Sequence, residues 1–484
     1  MSSETLIDIA KFEVESLTDF QKEIHFNNDD NPDEVIPSKW SYNVRKTTWS
    51  APYTEKMNAI VRETQGKRGV YEFNKKFHYV TKIYGTMKIR HIEVKEKYKD
   101  RVKIAMCNNL THNIFKEIRL EGDNGCLQKE MTISLDNNLQ FDEMPGHGKR
   151  KLRKLMTGDR SIYGQWTSSL PALKYQIILP FDFTKHKKKA IPLFKMNPGS
   201  TLQINILLET ELSKLIMMKI KTREGWKITP YNSNYLVDIK ENETIKFPDL
   251  WAIYHYITPE EVKWRKSFDY EVYIQDILVN ESVTVKKFGD PETLDLYSSH
   301  PVIYMRWGAL NIDAKKLNIN SNYSSSTEDI DGGFNPVKKF ALRRGNSYRI
   351  NKLDHIHFSR LEPYHNTMSA PYDEGYNHYN LTGNIYNIYP DGGVTFNSPE
   401  KITAELYIDN TNPSRLNNKD NGVLEDEDGY IIDENIDISK NSPKFRPYVL
   451  LGIVKKIIYS NGTILTDTNI DEKQRIMDQH YESK

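Results

Sequence analysis

The sequence predicts an all-β chain made of β-sandwiches, with room for two of them. Three observations carry this. The stretch from Asp354 to Asp409 reads as three extended segments of alternating apolar and polar character, His355–Leu361, Tyr379–Tyr389 and Ile402–Ile408, separated by Pro and Gly clusters that stop any helix. At 484 residues the chain exceeds the usual size of one hydrophobic core. A hydrophobic content of 38% with 11% aromatic residues fills β cores well, while a mean hydropathy of -0.67 puts much of the chain into polar loops.

The elements follow in order. Residues 1–38 are acidic and polar and end in Asn27-Asn28-Asp29-Asp30-Asn31-Pro32-Asp33-Glu34, which predicts an arm that Ile7, Ile9 and Phe12 could anchor. From Trp40 the character changes, and Tyr71–Val80 and Tyr84–Val94 alternate as a pair of half-buried strands. Asn113–Gly125 is a strand running into a Gly-Asp-Asn-Gly turn, with Cys126–Met131 as its return. A loop with a short basic helix follows at Glu143–Gly158. Leu170–Phe183 and Ser200–Glu209 are strands, with the basic turn His186–Lys189 and Ala190-Ile191-Pro192-Leu193-Phe194 between them. Leu250–Ile257 is an apolar strand. Thr258-Pro259-Glu260-Glu261 is a capping box, with Thr at the N-cap, Pro at the first helical position and Glu at the third, so a helix begins at Pro259. Strands resume at Tyr270–Val279 and Ser299–Trp307. Asp313–Asn346 and Asp409–Arg446, rich in Asn, Ser, Asp and Gly, are expected to project as loops open to proteases.

Composition excludes several functions. A net charge of +1 is not that of an electrostatic nucleic-acid binder, and Lys149, Arg150, Lys151, Arg153 and Lys154 read as a solvated basic loop rather than a phosphate site. Cys107 and Cys126 are the only cysteines, so neither a disulfide framework nor a CxxC site is available. No stretch has the length of apolar sequence that crosses a bilayer, and Met1–Phe20 lacks the apolar run of a secretory signal, so a soluble, intracellular chain is expected. The sequons at Asn109 and Asn461 are then chance matches in an Asn-rich chain.

The order of these elements resembles the double jelly-roll major capsid proteins of nucleocytoplasmic large DNA viruses. The resemblance rests on His300-Pro301-Val302 leading into a strand with Trp307 near its end, and on the loop Pro363-Tyr364-His365-Asn366-Thr367. Further support comes from Asn384-Ile385-Tyr386 before the turn Pro390-Asp391-Gly392-Gly393, and from Ala190–Phe194. It spans roughly residues 40 to 480. It implies two consecutive eight-stranded jelly-roll sandwiches with long loops and a short linker helix, divided as an arm at 1–38, a first roll at 39–268 and a second at 269–484. It implies a structural protein and no enzyme: a homotrimer of six similar lobes tiling an icosahedral shell, with minor capsid and penton proteins and an internal membrane as partners. Its place would be the virion capsid, after assembly in the host cytoplasm or a viral factory. A double jelly-roll scaffold of an immature virion has the same architecture, and a carbohydrate-binding sandwich is a third reading.

An enzyme reading competes at one place. On a strand, His355 and His357 share one face, and Glu362 follows at the spacing of a cupin metal motif, with Pro390-Asp391-Gly392 similar to the second motif. Yet the third nitrogen would fall at Thr395, Arg349 and Ser369 replace the flanking glycines, and Gly383 lies one residue too far from the Pro. Glu425, Asp426, Glu427 and Asp428 sit in a polar stretch where solvation is the default. Gly332-Gly333 and Gly392-Gly393 are turn glycines, and no phosphate loop, nucleophile elbow or HExxH helix occurs. No catalytic residue, cofactor-binding residue or metal ligand is assigned.

Overall fold

The computed structural model describes residues 50–63, 68–142, 158, 165–209, 211–223, 225–239, 245–267, 269–282, 291–327, 333–387, 392–397, 400–408, 444–460 and 462–466. The arm at 1–38, the basic loop at 143–157 and the acids at 425–428 lie outside them.

Eight strands before residue 258 make one sandwich: β1 (Ser50–Lys56), β2 (Arg68–Glu72), β3 (Tyr79–Ile89), β4 (Phe115–Gly122), β5 (Gly125–Met131), β6 (Leu173–Ile178), β7 (Leu202–Leu208) and β8 (Asp249–Ile257). They pair in the orders β1-β8-β3-β6 and β2-β7-β4-β5, with Asn58–Glu63 added beside β2. Eight more follow: β9 (Tyr270–Glu281), β10 (Pro291–Leu296), β11 (Pro301–Asn311), β12 (Val337–Arg344), β13 (Ser347–Asp354), β14 (Asn377–Asn380), β15 (Ile402–Ile408) and β16 (Phe445–Ser460). Their orders are β9-β16-β11-β14 and β10-β15-β12-β13. Numbered within each set, both sandwiches run 1-8-3-6 over 2-7-4-5, the jelly-roll permutation. The expected double jelly roll is the observed fold.

The sequence signals explain the strands they named. The turn Asp123-Asn124 joins β4 to β5, Gly122 pairs with Gly125, and Gly125 takes φ 108°, a backbone that only Gly adopts without strain. The helix α2 (Pro259–Lys266) starts at the capping box, where the Glu261 N–H donates to Thr258 Oγ1 at 3.4 Å and Arg265 pairs with Glu261 one turn back at 2.5 Å. Contacts divide the chain into two compact units: Tyr256–Arg265 falls in the smaller, and the sandwiches, Pro52–His255 and Lys266 onward, in the larger.

Four expectations are corrected. His355–Leu361 is helical, with His357–Leu361 as a π-helical turn running into a short α-helix, Glu362–Asn366, so the Pro363 taken as a breaker sits in a first helical turn instead. Of Tyr379–Tyr389, described to residue 387, only the start is a strand among the described residues. Leu381 makes one more ladder bond, to the Ile303 carbonyl at 2.9 Å, and then Asn384 bends the chain by accepting from the Tyr386 N–H at 2.9 Å. In place of the two strands Tyr71–Val80 and Tyr84–Val94, the span 71–94 holds the end of β2, the whole of β3 and the short strand Ile92–Glu93. Asp313–Asn346 is no projecting loop: it contains β12, and Ser321, Asn322, Ser324 and Asn335 in it are buried. Asn and Ser side chains replace the missing ladder there. Asn311 Nδ2 donates to the carbonyls of Ser324 (3.1 Å) and Ser326 (3.0 Å), and Asn322 Nδ2 to Ser326 (2.8 Å). Of Asp409–Arg446, residues 409–443 lie outside the described residues, and Phe445 and Arg446 open β16.

The second sandwich keeps its interior in one apolar cluster. Met305, Trp307 and Ala309 of β11 and Val449, Leu451 and Ile453 of β16 meet Phe340, Leu342, Leu406 and Phe358. Trp307 stacks on Phe340 with ring centroids 3.9 Å apart.

Candidate functional site

The metal constellation dissolves first. In a helix, residues two apart diverge by roughly 200°, so His355 and His357 no longer share a face. His355 Nδ1 lies 3.1 Å from its neighbour Asp354, and His357 Nε2 is 4.0 Å from Glu362. Glu362 Oε1 is occupied by Asn366 Nδ2 at 2.9 Å and the Asn380 N–H at 3.0 Å. Thr395 sits in the short strand Val394–Thr395, paired with Pro301-Val302. Among the described residues no group of three or more His, Cys, Asp or Glu could hold a metal ion.

What the structure brings together instead is a buried polar seam between the two sandwiches, centred on a helix that the sequence reading passed over. This is α1 (Thr132–Phe141), directly after β5, buried from Ser134 to Phe141. It starts where Ser134 Oγ accepts the Met131 N–H at 2.8 Å and donates to Glu130 at 2.6 Å. Its polar residues Asp136, Asn137, Asn138 and Gln140 read as loop composition. Their partners lie far away in sequence, and no local pattern announces them.

Asp136 ties the seam together. Its Oδ1 accepts from Asn109 Nδ2 at 2.9 Å and His112 Nδ1 at 2.8 Å, and its Oδ2 from the Tyr323 hydroxyl at 3.0 Å. Asn109 is thereby buried, in keeping with its sequon being a chance match. Asn137 Nδ2 donates to the Tyr448 hydroxyl of β16 at 3.1 Å, and Gln140 Nε2 to Asp373 at 2.8 Å. Phe141 joins Ile277, Tyr323, Tyr376, Tyr448 and Leu450 in an apolar cluster on the outer face of the β9-β16-β11-β14 sheet.

Arg306 of β11 crosses the same seam from the other side. It is 1% exposed, with two bonds to Asp142 at 2.5 and 3.1 Å, one to Asn138 Oδ1 at 2.9 Å and one from Nε to His378 Nδ1 at 3.3 Å. The guanidinium lies over the rings of Tyr304 (4.4 Å) and Phe141 (4.9 Å). Burial works against both charges, and the ion pair outweighs it: the Asp142 carboxyl ends below its ordinary range and Arg306 is held charged. His378 goes the other way. Burial first, and the adjacent Arg306 second, hold it well below 6.5, so it is neutral and its Nδ1 accepts. Burial also pushes Glu130 up to about 7.

Three further lines close the seam. Asp182 of the first sandwich pairs with Lys189 at 2.5 Å and accepts the Gln275 N–H of β9 at 3.1 Å, while Asp276 accepts the Lys129 N–H of β5 at 2.9 Å and pairs with Lys455. Asn197 N–H donates to the Gly462 carbonyl at 3.0 Å. Asn318 and Asn320 donate to the carbonyls of Ser213 (2.6 Å), Ile216 (2.7 Å) and Lys214 (2.9 Å). Chemically this arrangement locks: most of its donors and acceptors hold one sandwich to the other, which is how buried polar groups specify a single geometry, while Asn109 Oδ1, Asn137 Oδ1, the Tyr376 hydroxyl and His378 Nε2 have no hydrogen-bond partner among the described residues.

No family model matches the chain. Curated relatives named major capsid protein do. That of Lymphocystis disease virus 1 is 21% identical over 343 residues, covering 68% of this chain and 73% of the relative. That of Wiseana iridescent virus is 20% identical over 409 residues, covering 77% and 79%. Among solved structures, the PBCV-1 virus capsid superposes with a TM-score of 0.64 at 11% identity, covering 89% of this chain and 99% of that one. The Faustovirus major capsid protein gives 0.65 at 8% identity, covering 93% and 98%. With the jelly-roll permutation present twice and those relatives matched along most of its length, the chain has the double jelly-roll fold and is similar to the major capsid proteins of nucleocytoplasmic large DNA viruses.

Proposed function

We infer that this chain is the building block of a viral capsid, assembling as a homotrimer whose six sandwiches form a pseudo-hexameric block of an icosahedral shell. The observation that carries it is the sandwich duplicated with the same strand order and locked to its twin by the Arg306–Asp142 seam. Two rolls fixed in one chain give a trimer six comparable lobes, the symmetry that fills a hexagonal position. The division into an arm at 1–38, a first roll at 39–268 and a second at 269–484 belongs to this reading, as do minor capsid and penton proteins and an internal membrane as partners. Location follows: host cytoplasm or viral factory during assembly, then the virion. Its chemistry is association and no reaction. Light scattering and negative-stain imaging of the purified chain test it: the expected result is a trimer with a six-lobed outline, and monomer alone at micromolar concentration overturns it. Abundance in mature particles, rather than only in assembly intermediates, distinguishes a shell from a transient scaffold.

A further inference from the structure

Three connections of the first sandwich turn at the same end of the roll, because its strands alternate in direction: those between β3 and β4, β5 and β6, and β7 and β8. Together they build a small sheet of their own. Val102–Met106 pairs with Ile216–Thr222, which pairs with Gly225–Thr229, and Thr167 bridges to Ile104 on the opposite edge. One face is buried through Val102, Ile104, Met218 and Ile220. The other presents Trp166, Lys103, Lys219 and Trp226, one from each of the four adjacent segments, with an indole at each edge and the two lysines between.

The lysines break an ordinary rule of sheets. Lys103 and Lys219 stand directly opposite one another and are both half-buried, a pairing of like charges that costs stability. Burial first, and the Lys103 charge second, lower the Lys219 pKa, and among the described residues no carboxylate pairs with either ammonium. The indoles hold them in place. Lys219 Nζ lies 4.7 Å from the centre of the Trp166 ring and 5.3 Å from that of Trp226, and Lys103 Nζ lies 4.9 Å from Trp226. The platform is open to solvent: Trp226 is 39% exposed, and Lys221, its cross-strand neighbour, is exposed as well.

We propose that this platform binds a sulfated sugar chain, with a sulfate ester seated on the Lys103 and Lys219 ammoniums and the sugar ring against the exposed side of Trp226. Charge complementarity selects an anion. A sulfate ester has several terminal oxygens, enough to accept from both ammoniums at once and so relieve their repulsion. The indole beside them gives the C–H face of a pyranose an apolar wall. A single-stranded nucleic acid fits the platform worse, because a base stacks on an open ring face and both ammoniums lie over the Trp226 ring. The net charge of +1 also lacks the basic excess of a nucleic-acid binder. This inference goes beyond the capsid reading and is independent of the trimer, since the platform is made within one chain.

Isothermal titration calorimetry of the full chain tests it, with a heparin-derived hexasaccharide as the probe. The same sugar stripped of its sulfates, a single-stranded oligothymidine and sodium sulfate serve as comparisons. The unsubstituted chain is expected to bind the sulfated hexasaccharide about tenfold more tightly than any of the three. Lys103→Gln combined with Lys219→Gln is expected to weaken that binding by about tenfold. The midpoint of thermal unfolding should not fall in this variant, because the change removes a repulsion. Lys316→Gln combined with Lys401→Gln removes the same charge at exposed positions elsewhere and is expected to leave binding unchanged. Trp226→Ala keeps both ammoniums and is expected to weaken the sugar while leaving sodium sulfate as it was. Equal losses in the two lysine variants would reduce the contact to unspecific charge and overturn the proposal. Oligothymidine or sodium sulfate binding the unsubstituted chain as tightly as the sulfated sugar would overturn it too, whatever the variants do, and so would no binding of that sugar at all.

Discussion

β3 and β11 hold the same place in their sandwiches, third in sequence and third in the sheet, and each is eleven residues long. β11 is buried on both faces along most of its length; β3 alternates, with Val80, Ile83, Met87 and Ile89 inward and Lys82, Tyr84, Thr86 and Lys88 outward. The permutation is shared, so the difference comes from what lies outside the sheet. A strand with a layer on each side reads as a near-continuous apolar run, Val302-Ile303-Tyr304-Met305-Arg306-Trp307, and one with water on one side reads as alternation. The single charge inside the run, Arg306, points to the seam and not to the sandwich interior.

The largest expected effect is on the inward face of β11. Trp307→Ala removes a ring stacked on Phe340 and edge-on to Phe358, and a loss of about 4 kcal/mol is expected from the vacated volume. Denaturant unfolding checks it, and a loss under half of that would mean that the interior refills. On the outward face, Arg306→Met leaves Asn138 Oδ1 without its donor and Asp142 with the Tyr386 hydroxyl in place of the ion pair. About 3 kcal/mol should go, at the low end for a broken buried pair because the Asp142 side chain is 23% exposed. If the seam rather than a single roll depends on it, this loss carries a new unfolding intermediate in which one roll melts first, and the Trp307 variant shows none.

A pH series separates two seam groups of opposite sign. His378 has its pKa held below the unfolded 6.5, so the unfolded chain binds the extra proton and stability falls as pH drops below 6.5. Glu130 is the reverse: with a folded value of about 7 against 4.5 unfolded, its protonated form favours the fold below 4.5 and that contribution is lost as pH rises through 7. The shift corresponds to roughly 3 kcal/mol at most. Glu130→Gln is therefore expected to gain on the natural chain as pH rises from 5 to 8, and to leave the acid loss from His378 unopposed. Midpoints of denaturant unfolding at the two pH values measure it; equal differences at both would place Glu130 outside the titration. The smallest effect belongs to the open surface. Tyr364→Ala should change the stability of the isolated monomer by less than about 0.5 kcal/mol, and a larger loss in thermal unfolding would show that the ring packs within its own chain.

Much of the fold was legible before any coordinates. Apolar or alternating stretches located β4, β5, β7, β8 and β9, the His300-Pro301-Val302 motif pointed to β11, the Gly-Asp-Asn-Gly turn fixed one hairpin, and Thr258-Pro259 marked the start of α2, because each of these is decided by neighbours a few residues apart. The seam was not legible. Asp136, Asn137 and Gln140 look like loop residues until Tyr323, Tyr448 and Asp373 stand opposite them, and nothing within a local window encodes that. Asn322 and Asn335 misled for a related reason: polar composition signals exposure only while side chains bond to water, and here they bond to the backbone. His355 and His357 misled through period, since a strand was assumed where a π-helical turn stands.

The strand order also sets a schedule for synthesis. In the sheet β9-β16-β11-β14 the last strand fills the slot between the first and the third, and roughly 160 residues separate the end of β9 from the start of β16. At a ribosomal rate of about 5–20 residues per second, β9 and β11 wait roughly 10–30 s for the strand that joins them. Throughout that interval their facing edges have unpaired N–H and C=O groups, and Ile277 and Val279 lack the Tyr448 and Leu450 that will cover them. A chain made in quantity thus passes through this open-edged state each time it is synthesised, the kind of species prone to aggregate before its last strand arrives.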